Sequence, residues 1–88
     1  MKPPKQFSLA GSLWTVTVID GLTEMGTCDF SLNVIRLRKG MPTDVMLSTF
    51  FHELVHAVKF TLGEREHDEA DVDRIGHMLH QFTVTAKY

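Results

Sequence analysis

The sequence predicts an α+β fold: a small antiparallel three-stranded sheet followed by a two-helix hairpin that carries the functional residues. Three observations predict it. Apolar and polar residues alternate at period two in stretches between Leu13 and Arg38. Apolar residues recur at helical spacing from Thr43 to about Phe82. Gly and Pro punctuate the joins between these stretches. With 88 residues and 43% hydrophobic content, the chain makes one small domain whose core leaves little reserve stability.

Residues 1–10 read as a flexible or loosely docked lead, because Pro3-Pro4 blocks regular structure; the domain proper is then 11–88. Leu13 to Asp20 is rich in β-branched and aromatic residues and sets Trp14, Val16 and Val18 against Thr15 and Thr17, a strand pattern. Asp20-Gly21 is a turn signal. A weaker strand runs from Thr23 to about Asp29, interrupted at Gly26. A third, Asn33 to Arg38, opposes Ile35 and Leu37 to Arg36 and Arg38, and Lys39-Gly40-Met41-Pro42 then breaks the pattern.

The first helix begins near Thr43, a good N-cap residue, with Asp44 favouring the positive end of the helix dipole. Gly63 is the expected C′ residue. The second helix starts near Asp68, which can cap, and runs to about Phe82. Val72, Ile75, Met78, Leu79 and Phe82 line one side of it, and Glu69, Asp73, Gly76 and His80 an adjacent stripe. Gly76 lowers helix propensity, and either permits close approach to the first helix or is tolerated without purpose.

Composition narrows the function. A net charge of −2 gives no reason to expect nucleic acid, and Arg36, Arg38 and Lys39 read as the exposed side of a strand and its turn. No stretch has the length of a membrane span, and the N-terminus lacks the apolar run of a signal peptide. Cys28 is the sole cysteine, which excludes an internal disulfide and points to a cytoplasmic setting. It reads as a small buried hydrophobe, with a redox-sensitive thiol or a metal ligand as the alternatives.

The sharpest signal is His52-Glu53-Leu54-Val55-His56 in the first helix. Histidines four apart lie one turn apart on one face, so both imidazoles can reach one metal ion. The glutamate after the first histidine then stands beside that ion, where it can act as a general base on water. The competing reading is an ordinary solvent stripe, since Ser48, Thr49, His52, His56 and Lys59 share one narrow face. Against it, Met46, Leu47, Phe50, Phe51, Leu54, Val55, Ala57, Val58 and Leu62 cover most of the rest. A helix so apolar is buried, and buried imidazoles need partners.

Downstream, Glu69 and Asp73 stand in the form ExxxD. Together with HELVH, this resembles the gluzincins, a family of HExxH zinc peptidases, and in particular the minimal zincin-like metallopeptidases of bacteria and their phages. The resemblance covers roughly residues 26–81. It implies zinc (Zn2+) held by His52, His56 and Glu69, Glu53 as the catalytic general base, and Asp73 as a second carboxylate orienting His52. It further implies a peptide or protein substrate laid along an edge strand, for which the third strand or the segment Gly26–Phe30 is available. Other third ligands stay open: Glu66, His67, His77 and His80, or an aspartate at Asp68 or Asp73. A metzincin-type histidine is excluded, because its place is Leu62. For an oxyanion donor or substrate contact the candidates are His67, His77, His80 and Tyr88. Two other functions compete with the hydrolase. One is a zinc-stabilised, non-catalytic protein-interaction module; the other is a metal-free helical hairpin in which HELVH is accidental.

Overall fold

The computed structural model describes residues 1–88. In chain order the elements are β1 (Gln6–Leu9), β2 (Ser12–Ile19), β3 (Gly26–Asp29), β4 (Val34–Arg38), α1 (Thr43–Thr61) and α2 (Glu69–Thr85). The sheet has four strands in the order β1-β2-β4-β3. β1 pairs antiparallel with β2 and β3 antiparallel with β4, whereas β2 and β4 are parallel. The α+β class stands, but the expected three-stranded antiparallel sheet is wrong on two counts.

The first is β1, which lies inside the segment expected to be a loose lead. Ala10 (φ 50) and Gly11 (φ 81) join it to β2, and two successive positive φ values make the tight hairpin turn that suits twisted strands. Alanine in this region costs roughly 1–2 kcal/mol, so Ala-Gly is a weak turn signal beside Asn-Gly. Packing compensates: Phe7 stacks on Trp14 with centroids 6.1 Å apart and meets Phe50 edge-on at 5.9 Å.

The second is the direction of β4. Gly21 does turn the chain (φ 79), but the strand that follows is not the neighbour of β2. The chain passes one strand position, forms β3 at the edge, and returns as β4 between β3 and β2. Six residues, Asp20 to Met25, reach up to about 20 Å, ample for the roughly 10 Å between alternate strands. The interior place goes to the strand with most to bury, since Ile35 and Leu37 of β4 are 0% exposed. The β3–β4 turn is fixed by the Asp29 carboxylate, which accepts from the Ser31 and Leu32 amides and the Ser31 hydroxyl.

α1 lies between the sheet and α2. Its Leu47, Phe50, Phe51 and Ala57 close over Trp14, Ile35 and Leu37 to form the core. Pro42, not Thr43, occupies its N-cap position, and no side chain caps it. A proline leaves no amide to satisfy there, and its carbonyl accepts from Met46. At the other end Gly63 (φ 88) reverses the chain as expected.

α2 is capped as predicted, the Asp68 carboxylate accepting from the Ala70 and Asp71 amides, and it continues three residues past Phe82. Its inward side differs from the expectation. Of the stripe Val72, Ile75, Met78, Leu79 and Phe82, only Val72 is buried; Met78 and Phe82 are 57% and 62% exposed. The line of α2 that faces α1 runs through Val72 and Gly76, at the border of the two stripes, so that Glu69 and Asp73 flank the contact on one side and the rest of the apolar stripe lies outward on the other. A Cβ at Gly76 would stand 3.1 Å from both the amide nitrogen and Cα of His52. Both are backbone atoms that cannot turn aside. Gly76→Ala therefore sets a helix-propensity gain of about 1 kcal/mol against an overpacking cost of about 1–3 kcal/mol. The variant is expected to unfold at lower urea concentration than the parent; a higher midpoint would show that the helices are not in contact there.

No helix is long and apolar enough to cross a membrane.

Candidate metal centre

Residues 52 and 53 of α1 point about 100° apart around the helix axis, and each direction has a different neighbour. His52 and His56 face α2, while Glu53 turns towards β3. α2 begins directly after its Asp68 cap, which places Glu69 in the first turn opposite the two histidines. Lys59 at the end of α1 ties this junction together, with its ammonium 3.0 Å from Asp71 and 3.9 Å from Glu64. The Asp71 contact pushes the Lys59 pKa up and, with Arg74, the Asp71 pKa down.

The candidate ligand atoms of His52, His56 and Glu69 all lie within 4.8 Å of one another. Nε2 of His52 is 3.3 Å from one Glu69 oxygen, and Nε2 of His56 is 3.2 Å from the other. Two ligands each roughly 2.1 Å from one tetrahedral ion stand about 3.4 Å apart, so these spacings fit a shared cation. The donor set of two imidazoles and a carboxylate suits zinc but equally admits other divalent first-row metals. Burial lowers the His56 pKa, against the opposing pull of Glu69, which favours the neutral imidazole that a metal requires. Asp73 stands with an oxygen 3.5 Å from Nδ1 of His52, on the far side of that ring from Glu69. That is the side on which an orienting carboxylate acts.

Glu53 is 8% exposed and has neither a hydrogen bond nor an ion pair within the protein. Burial pushes its pKa up; the charge of His52 opposes the rise and that of Glu69 adds to it. The carboxylate lies against β3 at a position that only glycine allows. A Cβ on Gly26 would meet Thr49 Cγ2 at 2.7 Å and Glu53 Cγ at 3.1 Å.

β3 is an edge strand, as β1 is on the other side of the sheet, and the ladder fixes which of its groups are free. The Arg38 amide donates to the Met25 carbonyl. In an antiparallel pair, alternate residues direct their main-chain groups inward, so Met25, Thr27 and Asp29 bond to β4. Gly26 and Cys28 turn their N–H and C=O outward, beside Glu53. Two hollows flank that carboxylate along the strand: Gly26, Thr49 and His77 line one, and Cys28, Phe30 and Arg65 the other. The edge strand that sequence left undecided is thus β3, since β4 is interior. Cys28 is half-buried, and its thiol is pushed up to about 12, chiefly by burial and then by Glu53 and Asp29, so it is protonated at neutral pH.

The other candidates part company. Both ring nitrogens of His67 are engaged, one with His56 Nδ1 at 2.7 Å and one with the Glu64 carbonyl at 2.8 Å. It is therefore neither a third ligand nor a free oxyanion donor here. His77 lines the hollow beside Gly26. His80 packs its ring against Phe51, 6.1 Å away. Tyr88 lies beyond α2 and is fully exposed. Glu66 is exposed outside the cluster, and Asp68 is committed to its cap. Sequence reasoning did not single out Gly26 and Thr49 as the floor beneath Glu53. Thr49 had the visible signal, one turn before Glu53 on the same helix. Compared with protein-family models, with curated proteins and with solved structures, the chain matches none.

Proposed function

We propose that the chain is a zinc-dependent hydrolase that cleaves peptide bonds, with Glu53 as general base. One observation carries the reading: the largely buried Glu53 side chain, without a protein partner and with its carboxylate oxygens open to the cleft, stands between three convergent ligand groups and the free edge of a strand. Even partial desolvation of such a group is costly, and a perturbed carboxylate in a cleft marks a functional site more often than a structural one.

Zinc held by His52, His56 and Glu69 would supply Lewis acidity, lowering the pKa of water and polarising the scissile carbonyl. The protein's own groups do the rest. The outward N–H and C=O groups of Gly26 and Cys28 bind an extended peptide by strand addition, which fixes the backbone without demanding one sequence. Glu53, facing the same edge, takes a proton from the attacking water and delivers it to the leaving amine. Desolvation favours this double role, because it raises the carboxyl towards the pH at which both proton transfers proceed. His77, in the hollow beside Gly26, is the one of the four proposed oxyanion or substrate contacts that lines the cleft with free ring nitrogens.

The non-catalytic module gains less support. A structural zinc site is closed by four protein ligands, and here three groups converge while His67 is turned to another task. The test is hydrolysis of an unstructured peptide library by the zinc-loaded chain, with its Glu53→Gln variant as the control and products read by mass spectrometry.

A further inference from the structure

We infer that His67 is a positioning residue for the metal centre: it accepts the Nδ1 proton of His56 and so leaves the Nε2 lone pair of His56 directed at the space shared with His52 and Glu69. The inference rests on the metal-centre reading above and concerns a residue outside the ligand set.

Two short contacts carry it. Nε2 of His67 is 2.8 Å from the carbonyl oxygen of Glu64. A carbonyl can only accept, so Nε2 of His67 bears a proton. In the neutral ring its Nδ1 is then bare and can only accept. That atom stands 2.7 Å from Nδ1 of His56, which must therefore be the donor. As the neutral ring that a metal ligand must be, His56 is thereby the Nδ1–H tautomer, and its bare Nε2 lies 3.2 Å from a Glu69 oxygen. Lone pair then faces carboxylate, an arrangement that repels unless a cation lies between.

The ring geometry agrees. The centroids of His56 and His67 are 5.0 Å apart and their planes differ by 22°, so with the nitrogens at 2.7 Å the rings meet edge to edge in nearly one plane. That is the shape of an N–H···N bond. Phe30 holds His67 from the side, edge-on with centroids 6.0 Å apart, and is itself stacked on Phe60 at 4.1 Å. The relay from the Glu64 carbonyl through His67 to His56 thus does for the second histidine what Asp73 is placed to do for the first. Partners of this kind contribute about 10–100-fold in metal affinity.

Three variants separate the hydrogen bond from the packing. His67→Ala removes both; His67→Phe keeps a ring but no acceptor; His67→Asn keeps an acceptor oxygen at the Nδ1 position but no ring. Zinc affinity by chelator competition is expected to fall about 10–100-fold in the Ala and Phe variants and to stay within a few fold of wild type in the Asn variant. Imidazole 15N spectra of the zinc-free wild type should show His56 protonated at Nδ1 and His67 at Nε2, a readout that needs no variant to fold. A His67→Phe variant that binds zinc like wild type, or His56 found protonated at Nε2 alone, overturns the inference and leaves the metal centre standing. Wild type that binds no zinc overturns both.

Discussion

Glu53→Gln is expected to bind zinc as tightly as wild type and to hydrolyse peptides about 10²–10⁴-fold more slowly, the range that a positioned general base contributes. The substitution is nearly isosteric, so the fit against Gly26 and Thr49 is kept. It also removes a partly desolvated charge that has no partner in the protein, so the variant should be at least as stable as the parent. This sign separates a catalytic from a structural role. A carboxylate retained for folding would leave a weaker protein when neutralised, whereas one retained for chemistry leaves a stronger, inactive one. Urea unfolding of the two proteins, run beside the peptide assay, reads both. Undiminished hydrolysis by Glu53→Gln would show that the base is another group.

The second large effect falls on Glu69, whose side chain is 70% exposed and holds no part of the core. Glu69→Ala should lose zinc affinity by roughly a hundredfold or more. Zinc-site binding energies of about 10–16 kcal/mol, shared among four ligands, assign each about 3 kcal/mol, and each 1.4 kcal/mol is tenfold in affinity. The fold itself should survive, since the Asp68 cap remains and an acidic residue in the first turn contributes only about 0.3–1 kcal/mol. Circular dichroism of the zinc-free variant should match wild type, and the rise in melting temperature that excess zinc gives wild type should vanish. Equal zinc affinity in wild type and variant would place the third ligand elsewhere.

The helices were more legible in the sequence than the sheet, for a physical reason. Helical contacts are local: Asp68 caps through its own neighbours, Gly63 needs only its own φ, and the spacing of His52 and His56 fixes their common face before any tertiary contact forms. Strand partnership is not local. Nothing in the alternation of Val16, Ile35 or Cys28 says which of two strands lies beside β2, and a six-residue connection permits either. β1 was missed because Ala-Gly is a poor advertisement for a tight turn that Phe7, Trp14 and Phe50 stabilise from elsewhere in the chain. The apolar stripe of α2 misled in the opposite sense. Periodicity reports a face, but which face is turned inward is settled at Gly76, where the absence of a side chain lets α2 lie against the backbone of His52. At the site, the residues that bear charge could be read and those that bear shape could not. His52, His56 and Glu69, which the fold brings together, and Glu53 stand out as candidates by type and spacing, whereas Gly26 acquires meaning only once β3 is known to be an edge. His67 was visible as a polar residue near the motif, but its partner is a main-chain carbonyl that sequence does not distinguish from any other.

If two imidazoles and one carboxylate share a single cation, zinc K-edge X-ray absorption of the chain loaded with one equivalent will show it. The expected spectrum has only nitrogen and oxygen neighbours at about 2.0–2.2 Å, with the outer-shell scattering of two imidazoles, reduced to one in His52→Ala or in His56→Ala. A sulfur neighbour near 2.3 Å, which only Cys28 or a methionine could supply, or imidazole scattering unchanged by either substitution, would contradict it.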